Sequence, residues 1–267
     1  MKYKIYSNGK EVPDKQAIGL LRDEAVGVFE TMRAYNGKVF LLDEHLLRLR
    51  ESARTVGYIP LPDLKAAAAE VNAALRSAGQ KNASVRLTLW DGKTFVFIGT
   101  RGIPEDLYRT GVVLKTASFP RGNPHAFPCQ AKASAYQQAV LASTEPDPAG
   151  AFDWLFLDQR NYLTETRTGN FFIVKNGCLL TPPEHLILNG VTRRFVIKCA
   201  HETGLKARET PLTRHDFFNA DEAFLTNTSW EILPVRGLDG RVIGTGAPGP
   251  VTAGLHRIFT AKIRRAS

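Results

Sequence analysis

From Gly27 to Tyr35 the chain alternates apolar with polar residues (Gly-Val-Phe-Glu-Thr-Met-Arg-Ala-Tyr). It then meets Asn36-Gly37 and resumes as Lys38-Val-Phe-Leu. Period-two alternation interrupted by Asn-Gly predicts a hairpin. A shorter version opens the chain, with Lys4-Ile-Tyr-Ser, a turn at Asn8-Gly9, then Glu11-Val. After the hairpin the period changes. Asp43 or Glu44 begins a helix through His45-Leu-Leu-Arg48-Leu to Ala53. A second helix runs from about Pro62 to Ser77, with proline in its first turn and Gly79 past its end. The run Ala66–Ala69 is plain helix former. Strands follow at Ser84–Leu89 and Thr94–Gly99 around Asp91-Gly92, and another near Val112–Ala117.

The stretch Phe119-Pro-Arg-Gly-Asn-Pro-His-Ala-Phe-Pro128 has no period and reads as a linker. Beyond it the pattern predicts a helical stretch from about Lys132 to Ser143. Strands are expected near Trp154–Leu157, Phe171–Lys175 and Cys178–Leu180. A helix from Thr192 stops at Gly204, a strand covers Ala223–Thr226, and a last helix starts near Val251. Hairpins first and mixed elements later predict an α+β protein, not a doubly wound sheet. The expected division is a small domain over 1–118, a linker over 119–128 and a larger domain over 129–267.

Composition narrows this little. At 267 residues, 43% hydrophobic and 23% charged, the chain is globular. Its net charge of +9 suggests an anionic ligand or nucleic acid, but the Lys and Arg are dispersed and no nucleic-acid motif is present. A solvated basic surface explains them, and no nucleic-acid partner is expected. Cys129, Cys178 and Cys199 are odd in number and lack CxxC spacing, which fits neither a disulfide framework nor a zinc site. The start lacks a signal peptide's apolar run, and no stretch approaches the ~20 apolar residues of a membrane span. A cytoplasmic protein without a membrane partner is expected. The six histidines lack metal-ligand spacing, so no metal is expected.

Chemistry concentrates between Glu165 and Thr192. Glu165 stands just before the apolar run Phe171-Phe-Ile-Val, and Gly190-Val-Thr192 opens a helix. The first amides of a helix suit a dianion. Read alone, Thr192 is an N-cap, and Glu165 is an exposed acid at a strand entrance. Leu225-Thr-Asn-Thr228-Ser-Trp ends a strand in hydroxyls and amides, as anion nests do, though a turn with side-chain caps is the ordinary reading. A carboxylate against a pyridine nitrogen and a helix terminus on a phosphate would hold the two ends of one aromatic cofactor.

Several short motifs in order extend this. They are Val28-Phe29-Glu30-Thr-Met-Arg33, His45-Leu-Leu-Arg48-Leu with Ser52-Ala53, and Ala131-Lys132-Ala133. Glu165 with Asn170, Thr181-Pro182, Gly190-Val-Thr-Arg193, Ala220-Asp-Glu222, and Thr228 with Pro234-Val235 follow. Together they resemble the class IV aminotransferases, the fold-type IV pyridoxal-phosphate enzymes. That family includes branched-chain and D-amino acid aminotransferases and 4-amino-4-deoxychorismate lyases. The resemblance implies a small N-terminal sandwich-like domain, a larger C-terminal domain with a barrel-like sheet, and a homodimer. It implies that Lys132 is the Schiff-base lysine and proton shuttle and that Glu165, with Asn170 close by, pairs with the ring nitrogen. Arg48, the Val191 and Thr192 amides, Thr228 and Ser229 would hold the phosphate. Tyr136 would meet the ring hydroxyl, at a spacing from Lys132 one residue off the branched-chain pattern.

The expected reaction is ping-pong amino transfer between a small amino acid, or an amine, and a keto acid. The alternative is the lyase branch, β-elimination releasing pyruvate and 4-aminobenzoate. A more distant one is a non-catalytic anion- or nucleic-acid-binding protein. Phe29 is expected in the substrate pocket, and Arg86 is a candidate for the substrate carboxylate. The family's usual carboxylate traps are not intact, and Arg22, Arg101 and Arg121 are further candidates.

Overall fold

The computed structural model describes residues 3–7, 9–13, 27–90, 92–100, 102–122, 128–133, 142, 144–145 and 150–266. The chain divides into two compact units. One comprises Met1–Gly102 with Ala131–Ala135 and Ile263–Ser267, and the other Ile103–Gln130 with Tyr136–Lys262. The α+β expectation holds. Among the described residues no helix is long and apolar enough to cross a membrane.

The first unit is a six-stranded antiparallel sheet. Its strands are β1 (Tyr3–Ser7), β2 (Lys10–Glu11), β3 (Val28–Tyr35), β4 (Lys38–Val39), β5 (Ala83–Trp90) and β6 (Lys93–Gly99), in the order β2-β1-β6-β5-β3-β4. The expected hairpin joins β3 to β4, and Asn36 and Gly37 both take positive φ (49° and 83°), as its two-residue turn requires. Alternation decides the faces. Val28, Met32 and Ala34 of β3 join Val85, Leu87 and Leu89 of β5 in the core, with Leu46, Leu49 and Ala53 of α1 (Leu42–Thr55). α2 (Leu64–Ala78) adds Ala67, Val71, Ala74 and Leu75. Asp63 caps α2 by accepting from the Lys65 and Ala66 amides, and Gly79 ends it in the left-handed region. Phe29, Thr31 and Arg33 fall on the other face of the sheet, where register places Arg86 opposite Thr31 and Thr88 opposite Phe29.

β4 is only two residues long and pairs with Ala34 and Tyr35. Its brevity leaves the Val28 end of that edge open for the lysine segment. Val28 forms an antiparallel bridge with Ala133, and the Phe29 amide donates to the Lys132 carbonyl (3.0 Å). The helical stretch expected from Lys132 is therefore not helical at its start. Backbone pairing with an open edge outweighs the helix propensity of the Ala-rich flanks. Most of that stretch lies outside the described residues.

The second unit is a nine-stranded mixed sheet in the order β12-β11-β10-β13-β14-β7-β8-β9, with β15 on β14. The strands are β7 (Val112–Thr116), β8 (Asp153–Leu157), β9 (Leu163–Thr166), β10 (Asn170–Lys175), β11 (Cys178–Thr181), β12 (Ala207–Glu209), β13 (Glu222–Asn227), β14 (Glu231–Leu238) and β15 (Arg241–Val242). Phe171, Ile173, Leu225, Leu233 and Val235 line one buried cluster with Phe217 and Trp230. Phe172 and Phe224 stack at 5.1 Å. Among the described residues its longer helices are α3 (Asp106–Thr110), α4 (Val191–Glu202), α5 (Arg214–Phe218) and α6 (Pro250–Ala266). α4 packs on β13, and Phe195 of α4 meets Phe259 of α6 edge to face at 5.4 Å.

Candidate active site

In the second unit, Glu165 is not an exposed acid at a strand entrance. It lies inside β9, a strand buried at every position, and is 6% exposed. A buried carboxylate needs donors to replace water. Asn170 Nδ2 donates to Glu165 Oε2 (2.9 Å) and also to the Leu188 carbonyl (2.9 Å). The Leu188 amide donates to the same Oε2 (3.1 Å). Arg121 Nη2 pairs with Oε1. Arg121 is therefore committed to a carboxylate of the chain itself, which removes it as a replacement trap for the substrate.

Asn170 couples Glu165 to the turn that begins α4. Gly190 is the N-cap of that helix and carries no side chain that could cap it. A Cβ on Gly190 would sit 2.2 Å from Asn170 Oδ1, so only glycine fits. Val191 and Thr192 are buried (3% and 7% exposed) at the first turn. Thr192 is thus helical and not the N-cap. With no side chain capping this end, its positive dipole and its amides suit an anion.

The hydroxyl-rich turn follows β13 in the same unit. Thr226 is 1% exposed, and its Oγ1 is buried without a hydrogen-bond partner among the described residues. Thr228 is half-buried and Ser229 is buried. The Ser229 amide donates to Asn227 Oδ1, so it is used inside the turn.

In the first unit, Lys132 is held by its backbone. Its amide donates to Ser52 Oγ of α1 (3.0 Å), and its carbonyl accepts from Phe29. Lys132 Nζ lies over the Phe29 ring, 4.9 Å from the centroid, and the Arg86 guanidinium carbon lies 3.8 Å from the same centroid. Both distances fall in cation–π range. Arg86 Nε also donates to Thr88 Oγ1 (3.3 Å). Lysine, aromatic ring and arginine thus meet on the sheet face away from α1 and α2.

Arg48 is 6% exposed on α1. Its Nε and Nη2 each donate to Glu30 of β3 at 2.7 Å, and His45 Nδ1 contacts the same carboxylate at 2.7 Å. Burial alone would raise the Glu30 pKa. The Arg48 charge and the hydrogen bonds from both partners overcome it and hold the group at about 2. Burial lowers the His45 pKa against the opposing pull of Glu30, with the Lys132 charge also acting to lower it. The result is an anchored Arg48.

Tyr136, Arg22 and Arg101 lie outside the described residues. Sequence reasoning quoted Glu30 and Ser52 in its motifs without giving them a role, and it missed Leu188 and the role of Arg121. Glu30 carried a signal: an acid in the inward register of β3, between Val28 and Met32. Ser52 stood only as part of a motif, and the Leu188 amide and Arg121 carried no signal, because their partners lie far away in sequence. Among the described residues no group of three His, Cys, Asp or Glu could hold a metal.

The model of the family described as amino-transferase class IV matches residues 27–238. A branched-chain-amino-acid aminotransferase of Pseudomonas aeruginosa is 33% identical over 88% of this chain and 83% of its own. A D-alanine aminotransferase of Bacillus licheniformis is 32% identical over 85% and 83%. The crystal structure of an Escherichia coli branched-chain amino acid aminotransferase superposes with a TM-score of 0.88 at 29% identity, covering 97% of this chain and 93% of that one. A branched-chain amino acid aminotransferase crystallised with pyridoxamine 5'-phosphate superposes with a TM-score of 0.89 at the same identity and coverage. The buried carboxylate tied to an uncapped helix terminus and the edge-paired lysine thus stand in a chain that belongs to the class IV aminotransferases and has their fold.

Proposed function

We propose that the protein is a pyridoxal-phosphate-dependent aminotransferase that moves an amino group between a small amino acid and a keto acid. One observation carries the reading. Asn170 joins the buried Glu165 carboxylate to the Leu188–Gly190 turn, which opens α4 without a side-chain cap. Such a unit offers an anion for a ring nitrogen at one end and amides for a phosphate at the other. The Thr226 hydroxyl, without a partner among the described residues, fits a cradle for an acceptor-rich group.

When bound, pyridoxal phosphate supplies an electron sink for a carbanion at the substrate Cα. The roles of the chain follow from the chemistry of each residue. Lys132 would be the covalent anchor, and its amine would take the proton from the substrate Cα and pass it to the cofactor carbon that keeps the amino group. Glu165, aligned by Asn170, meets the ring nitrogen. Val191, Thr192 and Thr228 serve the phosphate, as do the Ser229 hydroxyl, since the Ser229 amide is held by Asn227, and Arg48, whose guanidinium is oriented by Glu30. Tyr136 serves the ring hydroxyl. Phe29 supplies an apolar wall and Arg86 receives a substrate carboxylate. The relatives' names for branched-chain amino acids and D-alanine support a small aliphatic amino donor. We extend the proposal to a homodimer.

The test sets amino transfer to 2-oxoglutarate beside pyruvate release from aminodeoxychorismate. Transfer that requires the keto acid acceptor is the expected result. Turnover without any acceptor would overturn the aminotransferase reading in favour of β-elimination. In Lys132→Ala both activities should be absent, and borohydride should no longer fix the cofactor to the protein.

A further inference from the structure

We infer that Arg121 is a positioning residue for the cofactor ring, acting through Glu165. The inference rests on the reading of Glu165 as the ring-nitrogen partner. Arg121 lies in the proline-rich stretch after β7, where sequence pattern reads only a linker. Its backbone is not loose: the Arg121 amide donates to the Leu157 carbonyl at the end of β8 (2.7 Å). Its side chain is 13% exposed and bridges two elements. Nη1 donates to the Leu186 carbonyl (3.1 Å), and Nη2 pairs with Glu165 Oε1, on a side chain 8% exposed. A guanidinium presents donors in a rigid fork, so contact with a carbonyl and a carboxylate at once fixes its plane.

The opposite oxygen of Glu165 accepts from Asn170 and from the Leu188 amide. The carboxylate is therefore gripped from three elements: the Arg121 segment, β10 and the turn before α4. Exposed arginine–glutamate pairs are common and contribute little. This one is enclosed, and enclosure changes what the arginine does. A carboxylate buried without a cation favours its neutral form, because burial penalises charge. Next to a pyridine nitrogen, a carboxylate short of counter-charge takes the shared proton and leaves the ring neutral. A fixed guanidinium on Oε1 stabilises the anion, so the proton stays on the ring nitrogen. Arg121 thus decides which of the two groups holds the proton. Asn170 and Leu188, being uncharged, only aim the carboxylate.

The experiment uses full-length protein loaded with pyridoxal phosphate and compares unmutated protein, Arg121→Met, Arg121→Lys and Glu165→Gln. It reads the pH dependence of the near-visible absorption band, the cofactor dissociation constant, and kcat separately from KM. Arg121→Met should displace the pH midpoint of the band on the order of one pH unit, toward Glu165→Gln. Cofactor affinity should fall about tenfold, as when outer partners of a metal ligand are removed. kcat should fall with little change in KM, and Arg121→Lys should recover most of the band's pH profile. The inference is overturned if Arg121→Met superimposes on unmutated protein, or if Arg121→Lys is displaced as far as Arg121→Met, since charge would then not be the cause. If Arg121→Met does not fold by circular dichroism, Arg121→Gln takes its place in the same comparison. Failure of the underlying reading looks different: unmutated protein would itself show no near-visible band with the cofactor.

Discussion

Replacing Glu30 by Gln tests the physics of the first unit most sharply. The Glu30 carboxylate is fully buried and accepts from Arg48 Nε, Arg48 Nη2 and His45 Nδ1, each at 2.7 Å. Glutamine keeps the shape but removes the charge and half of the acceptor capacity, leaving the Arg48 guanidinium buried without its anion. Removing one partner of a buried pair costs about 3–5 kcal/mol. Linkage gives a separate figure: moving the Glu30 pKa from 4.5 to about 2 corresponds to roughly 3 kcal/mol. The sign follows from the direction. A carboxylate whose pKa is depressed by folding stabilises the fold above its unfolded value, and that stability is lost as pH falls from 4.5 through 2. Urea unfolding of the cofactor-free protein should therefore show Glu30→Gln less stable by about 3 kcal/mol at neutral pH. Between pH 4.5 and 2 the variant should lose correspondingly less stability than unmutated protein. Adding Arg48→Met should cost less than the sum of the single changes, because the stranded guanidinium is gone. A loss below about 1 kcal/mol at neutral pH, the size of a surface pair, would refute the reasoning.

Other consequences are equally specific. Gly190→Ala places a methyl 2.2 Å from Asn170 Oδ1, so Asn170 must move; a loss of about 1–3 kcal/mol in urea unfolding is expected, with weakened cofactor binding. Unchanged cofactor affinity in that variant would separate Asn170 from the site. Glu222→Ala removes the carboxylate that accepts from the Val251 amide (2.9 Å), the Thr252 amide (2.7 Å) and Thr252 Oγ1 (2.6 Å) at the start of α6. Stability should fall by about 2 kcal/mol, and the Val251 and Thr252 amides should lose hydrogen-exchange protection. Arg86→Gln should raise KM for the amino acid roughly tenfold with a smaller effect on kcat, as loss of a charge-assisted hydrogen bond requires. An unchanged KM would assign the substrate carboxylate to another group.

Local signals in the sequence were strong where one segment decides its own structure. The Asn36-Gly37 turn, the alternation along β3 and the Gly79 limit of α2 all describe short-range physics, and the structure bears each one out, whereas Pro62 lies before the Asp63 N-cap and outside the first turn of α2. Short elements with no period of their own were not legible. β9 is four residues long and packed on all of them, so Glu165 read as an exposed entrance residue when it is a buried strand residue. The pairing of Lys132 with β3 was hidden for a different reason. It depends on how little of an edge β4 covers, a fact about register, and nothing in Ala131-Lys-Ala-Ser announces it. Arg121 was visible as an arginine but not as a partner, because the long stretch of chain between it and Glu165 carries no hint that the two meet. The cofactor residues themselves became readable only as an ordered set, since an N-cap, a strand-end acid and one lysine among many are each unremarkable alone.

The central claim is that Lys132 is the residue to which pyridoxal phosphate attaches. Reducing the cofactor-loaded protein with borohydride and mapping the modified peptide by mass spectrometry tests it directly. The account predicts a single modification, on Lys132, absent from Lys132→Ala. Modification of another lysine, or none at all in unmutated protein, would contradict it.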